Sequence, residues 1–175
     1  MRYEIIMNRY FFALKPDNKT RQKIVAARAH IACPGRWVKN ENIHLTLLFL
    51  GVLTQKQLSG IVSQAHKIVV PEFSLSLTTS GGFKKAKVAW LGMETIPEPL
   101  SLLNQQLISA ALKANIAIDQ QSYKPHVTLA RKVVKMEQKE IPAINWKIGD
   151  FVLFKSVSSA QGVQYQVVEY FKNKG

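Results

Sequence analysis

A single cysteine, Cys33, in 175 residues leaves no intramolecular disulfide and no cysteine set for zinc. That excludes disulfide scaffolds and cysteine-based zinc modules, and it fits a reducing compartment, the cytoplasm. Acidic residues are also scarce, 11 Asp+Glu against 24 Lys+Arg, a formal net charge of +13. No run approaches the roughly 18 apolar residues that a membrane-spanning helix needs; the richest, Leu45 to Leu53, is half that length. The amino terminus MRYEIIMNRYFF carries Glu4 and has no long apolar segment ending at a small-residue cleavage site, so it does not read as a secretory signal. With 9 Gly and 7 Pro the chain is neither collagen-like nor low-complexity. What is present is 47% hydrophobic content, enough for one folded domain over residues 1–175, expected to be a monomer. The basic excess favours polyanionic partners, nucleic acid ahead of membrane surfaces.

Strand, helix, strand occurs twice. Tyr10 to Leu14 suits a buried strand, and Asp17 caps a helix in which Ile24, Ala27 and Ile31 recur until Pro34-Gly35. Arg36 to Lys39 is extended and Ile43 to Gly51 reads as a strand. Thr54 with Gln57 forms a capping box for a helix whose apolar stripe runs through Leu58, Ile61, Val62, Ala65, Ile68 and Val69. Glu72 to Thr79 alternates as a strand, Gly81-Gly82 is expected to turn the chain, and Lys87 to Leu91 is another strand. Pro97 and Pro99 introduce a helix with Leu100, Leu103, Leu107 and Ala111 on one face and a stop at Asn115. His126 to Val133 is strand-like, and Trp146 to Ser156 with Val163 to Phe171 reads as a closing hairpin.

The first unit ends in HLTL at residues 44–47 and the second in HVTL at residues 126–129. Phe11 precedes His44 by 33 positions and Trp90 precedes His126 by 36, so an internal duplication is the economical explanation. A lone HLTL is more often a core histidine. With 7 threonines in the chain, two of the four histidines having Thr two positions on is about a 1% coincidence.

Alternation in a strand turns His44 and Thr46 to one face and Leu45 and Leu47 to the other; His126 and Thr128 repeat the pattern. One cleft then receives two imidazoles and two hydroxyls, which suits a phosphodiester. One histidine takes a proton from water while the other gives one to the departing oxygen, both near their natural pKa. The threonines donate to the nonbridging oxygens. His30 and His66 lack the pattern and fall on expected helices. No HExxH spacing exists and no carboxylate lies near either motif, so neither a metal nor another cofactor is expected.

RYFFALKP near the start, RWVKNENIHLTLLFLG around the first motif and YKPHVTLARK around the second resemble the 2H phosphoesterase superfamily, and within it the RNA 2′,3′-cyclic phosphodiesterases once called 2′-5′ RNA ligases. The resemblance runs from about Arg9 to Phe171. It implies an α+β fold of two pseudo-symmetric lobes, approximately 8–80 and 81–160, with antiparallel sheets lining a central groove, helices outside, and the C-terminal hairpin crossing between the lobes. It implies hydrolysis of an RNA terminal 2′,3′-cyclic phosphate to a 2′-phosphomonoester, and sometimes reversible 2′-5′ joining of tRNA halves. His44 resembles the proton donor and His126 the proton acceptor, with Thr46 and Thr128 on phosphate. Arg131 resembles an arginine on phosphate or base, although alternation puts it opposite His126 unless the strand bulges. Phe12 resembles an aromatic beside the terminal base, and a place in the core is the equal alternative. Family members tend to begin almost directly with the first strand, so Met1 to Ile6 are expected to be dispensable, with Met7 as an ordinary start.

Nine of the Lys/Arg lie between Met1 and Lys39, and Lys84, Lys85 and Lys87 crowd the central hairpin, a pattern that suits an RNA backbone. Two other readings stay open on the motifs: a 2H phosphodiesterase acting on 2′-5′ oligonucleotides or small cyclic nucleotides, and a non-catalytic RNA-binding module.

Overall fold

The computed structural model describes residues 8–32, 35–119, 122–134 and 136–175. Cys33, Pro34 and the segment Met1 to Ile6 lie outside the described residues. In chain order the elements are β1 (Arg9–Leu14), α1 (Asn18–Ala27), β2 (Arg36–Trp37), β3 (Leu45–Val52), α2 (Gln55–Ala65), β4 (Phe73–Phe83), β5 (Val88–Gly92), α3 (Glu98–Lys113), β6 (Val127–Arg131), β7 (Lys139–Ile148), β8 (Asp150–Ser159) and β9 (Gly162–Lys172).

The strands pair antiparallel in the order β7-β4-β5-β6-β3-β1-β8-β9, with β2 also on β6. Among the described residues all nine strands belong to one sheet. β7-β4-β5-β6 and β3-β1-β8-β9 are each densely paired, and a single register pair, Leu45 with Val127, joins β3 to β6.

One face of both halves is covered by the helices. Phe12, Leu14, Leu45, Leu47, Leu77, Leu91, Val127 and Leu129 share a core with Ile24 of α1, Ile61 of α2 and Leu100, Leu103 and Leu107 of α3. Burying each of these side chains contributes roughly 1.5–3 kcal/mol. The buried Asn104 donates from Nδ2 to Leu47 O at 2.7 Å, fixing α3 on β3. Among the described residues no helix is long and apolar enough to cross a membrane.

The helix starts follow the sequence. Asp17 accepts from Thr20 N, and Thr54 and Gln57 form the reciprocal capping box. Asn115 ends the third helix in the left-handed region at φ 57. Some boundaries differ. α1 stops at Ala27 and tightens into a 3-10 turn over Arg28–His30, so Ile31 is buried beyond the helix. α2 ends at Ala65, leaving Ile68 buried and Val69 exposed beyond it.

Two strand expectations are corrected. Gly81 and Gly82 lie inside β4, and the turn falls over residues 84–87. The reason is Trp90, whose ring lies so close over Gly81 that an added Cβ would sit 2.5 Å from it. The expected closing hairpin is also divided at Gly149. Trp146 and Ile148 belong to β7, paired with Leu75 and Phe73 of β4, and the hairpin proper is β8–β9.

Candidate active site

Leu45 and Val127 are register partners, and both are fully buried on the core face. The residues that flank them therefore project from the other face. His44 and Thr46 stand beside Leu45 and His126 and Thr128 beside Val127, all four partly exposed. The two duplicated motifs thus meet across the one seam of the sheet.

Each histidine is held by the same local bond. His44 Nδ1 lies 2.6 Å from Asn42 O, and His126 Nδ1 lies 2.7 Å from Lys124 O, in both cases the carbonyl two residues back. A carbonyl only accepts, so Nδ1 carries the hydrogen in both rings. In the neutral form Nε2 then holds a lone pair. Thr46 Oγ1 donates to His44 Nε2 at 3.1 Å.

Aromatic rings wall both sides. Phe11 and Tyr165 pack on His44 with centroids 5.1 and 5.0 Å away. Phe83 packs edge-on against His126 at 5.0 Å, with Trp90 behind it at 5.4 Å. The chain crosses the seam a second time at Tyr123, whose hydroxyl donates to Thr46 O at 3.4 Å. Burial raises the Tyr123 pKa and keeps that hydroxyl protonated.

This enclosure corrects the expectation of natural histidine pKa values. Burial pushes His44 down to about 4; the Asn42 carbonyl works against that shift, and positive charge on Arg131 and His126 adds to it. His126 is lowered by the same cause, desolvation first, opposed by Lys124 O and assisted by Arg131. Both rings are therefore neutral at pH 7.

A bulge in β6 puts Arg131 on the face that carries the histidines. Ala89 pairs with Ala130, whereas the next residue, Trp90, pairs with Thr128, so one extra residue of β6 intervenes and the alternation resets. Arg131 is exposed and its charge acts on both rings.

Phe12 is placed elsewhere. It is 0% exposed and packs against Phe151 and Phe171 in the core. Alternation along β1 gives the groove position to its neighbour, Phe11. His30 is exposed on the 3-10 turn, and exposed His66 packs on Phe171. Among the described residues no three of His, Cys, Asp or Glu are grouped as metal ligands.

Tyr165, Phe83, Trp90 and Tyr123 were not legible as site residues. Phe11 and Trp90 had served only to mark the repeat length, and each now stands beside its own motif. Tyr165 comes from a distant hairpin that no motif connects to the histidines.

The arrangement sets two imidazoles, two threonine hydroxyls and the Arg131 guanidinium on one face of the sheet. Known proteins share both the sequence and the fold. Residues 14–90 match the LigT like Phosphoesterase family model, a span that includes the first motif. The RNA 2′,3′-cyclic phosphodiesterase of Escherichia coli (strain K12) is 33% identical over 158 residues, covering 88% of this chain and 89% of that protein. The protein of the same name from Aquifex aeolicus is 24% identical over 92% of this chain and 93% of its own length. A crystal structure of E. coli LigT complexed with 3′-AMP superimposes with a TM-score of 0.85 at 29% identity, over 96% of this chain and 99% of that one.

Proposed function

The chain belongs to the LigT-like phosphoesterase family, and on that premise we propose that it hydrolyses the terminal 2′,3′-cyclic phosphate of RNA to a 2′-phosphomonoester, as a single bilobal domain and without a metal ion. The E. coli and Aquifex aeolicus relatives carry the corresponding name. The observation that carries the reading is the repeated Nδ1–H bond, to Asn42 O and to Lys124 O, which reserves Nε2 of each histidine for proton transfer beside the same seam.

In the forward direction neutral His126 accepts a proton at Nε2 from a water whose oxygen attacks phosphorus. The bond from phosphorus to the 3′ oxygen breaks, and His44 delivers a proton from Nε2 to that oxygen. The product has a 3′-hydroxyl and a 2′-phosphate. Thr46, Thr128 and Arg131 stabilise the charge that accumulates on the nonbridging oxygens. Burial depresses the proton affinity of His44, so its acid form depends on the substrate. The negative phosphodiester in the groove favours the imidazolium and raises its pKa. Thr46 Oγ then turns from Nε2 to the phosphate.

The test is hydrolysis of an RNA ended by a 2′,3′-cyclic phosphate, in excess chelator, with the phosphomonoester identified. Wild type is expected to yield the 2′-phosphate. His44→Ala and His126→Ala are each expected to lose about two orders of magnitude or more in turnover. Full activity in either variant contradicts the assigned roles, and strict dependence on added metal contradicts the mechanism.

A further inference from the structure

β2 is only two residues long, yet it sets Arg36 directly opposite Arg131 of β6. Antiparallel register partners project to the same side of a sheet, and like charges placed opposite one another destabilise the pairing. Neither guanidinium enters an ion pair among the described residues, where the pair found is Lys147 with Glu72.

The short strand is nevertheless firmly held. Val38 N donates to Leu129 O at 2.8 Å, and Arg28 lies over the Trp37 ring at 5.2 Å while donating to Val38 O at 2.6 Å. On the other side of Arg131 its partner is Val88, which follows the turn carrying Lys84, Lys85 and Lys87. Val133 N donates to Lys87 O at 3.0 Å, closing Lys132 against the same turn. Six exposed cations thus crowd the ends of three adjacent strands, β5, β6 and β2.

Arg131 shares the face of both histidines after the bulge in β6 and, on the reading above, serves the reacting phosphate. Arg36 lies one strand further out, where a mononucleoside cyclic phosphate has no second charge to offer. We propose that Arg36 holds the phosphodiester on the 5′ side of the reacting nucleotide, with the lysines of the β4–β5 turn along the continuing backbone, so that the enzyme selects single-stranded RNA over mononucleotides. This rests on the cyclic-phosphodiesterase reading above.

The experiment compares kcat/KM for adenosine 2′,3′-cyclic phosphate and for a tetra-adenylate with the same cyclic end. Wild type is expected to prefer the tetranucleotide. Arg36→Ala is expected to lower that preference about tenfold, through KM, because a charge-assisted contact is removed. Arg36→Lys retains most of it. The salt dependence of the tetranucleotide KM is expected to flatten by about 0.7 in log–log slope. Equal losses on both substrates, or an unaltered preference, overturn the proposal, as does a wild type that turns over both equally well. A wild type inactive on both substrates overturns the cyclic-phosphodiesterase reading itself, and the role of Arg36 falls with it.

Discussion

His44 shows how a residue's role is set by what surrounds it rather than by its type. Its spacing from Thr46 was legible as the period of a strand, and the matching pair at 126 and 128 made chance a poor explanation. Its proton affinity was not legible, because Phe11, Phe154 and Tyr165 come from three other strands. Their burial of the ring holds it neutral down to about pH 4, against 6.5 for an exposed imidazole. Between those values the unfolded chain binds a proton that the folded chain refuses, so stability falls as pH drops through 6.5 towards 4. His44→Gln removes this contribution, as the variant has no imidazole to charge on unfolding. Urea unfolding at pH 7 and pH 4.5 is expected to show a smaller drop for the variant than for wild type; equal drops count against a buried neutral ring. Phe12 and Phe11 differ for the same reason. Phe12→Ala is expected to cost about 3–5 kcal/mol of stability, as for a large core side chain, with thermal or urea unfolding as the check.

At the level of elements, caps and helical faces were readable because their signals are local: Asp17, Thr54 with Gln57, and the leucines of α3 all act within a few residues. Strand edges were harder. β7 begins in the segment KEIPAIN, which carries Pro142 and little alternation, and such a strand is tolerated because it lies at the sheet edge. Gly81 resembled a turn residue, since only the placement of Trp90, nine positions later, shows why a side chain is excluded. Gly81→Ala is expected to displace the Trp90 ring, and with it Phe83 from the edge of His126, lowering kcat while Thr54→Ala, a lost cap on the far side of the molecule's core, costs about 1 kcal/mol of stability and leaves kcat unchanged. Parallel assays of the two variants with unfolding curves separate these effects. A Gly81→Ala enzyme with normal kcat contradicts the argument that the aromatic wall positions His126.

For the whole molecule, the repeat of HLTL and HVTL was visible in the sequence, and the two motifs meet where Leu45 pairs with Val127. The make-up of the join was not visible there: β3 and β6 share one register pair, and the Tyr123 hydroxyl, β2 on β6 and the Asn104 bond to Leu47 O add to it. That join sets His44, Thr46, His126 and Thr128 on one face of the sheet while leaving both Nε2 atoms uncommitted to the backbone. The charge of +13 has a corresponding whole-molecule consequence, since phosphate contacts release counterions. RNA affinity is expected to fall steeply between 50 and 200 mM salt, and a flat response in a binding titration contradicts the involvement of the basic surface.

The central claim is that two imidazoles serve one phosphorus atom, and histidine NMR titration with and without the nucleoside 2′-phosphate product tests it most directly. The expected result is an Nδ1–H tautomer for both His44 and His126 in the free protein. On adding the product the His44 pKa rises from about 4, and His126 shifts upward in the same titration. A ligand that leaves either ring's titration where it was contradicts the account.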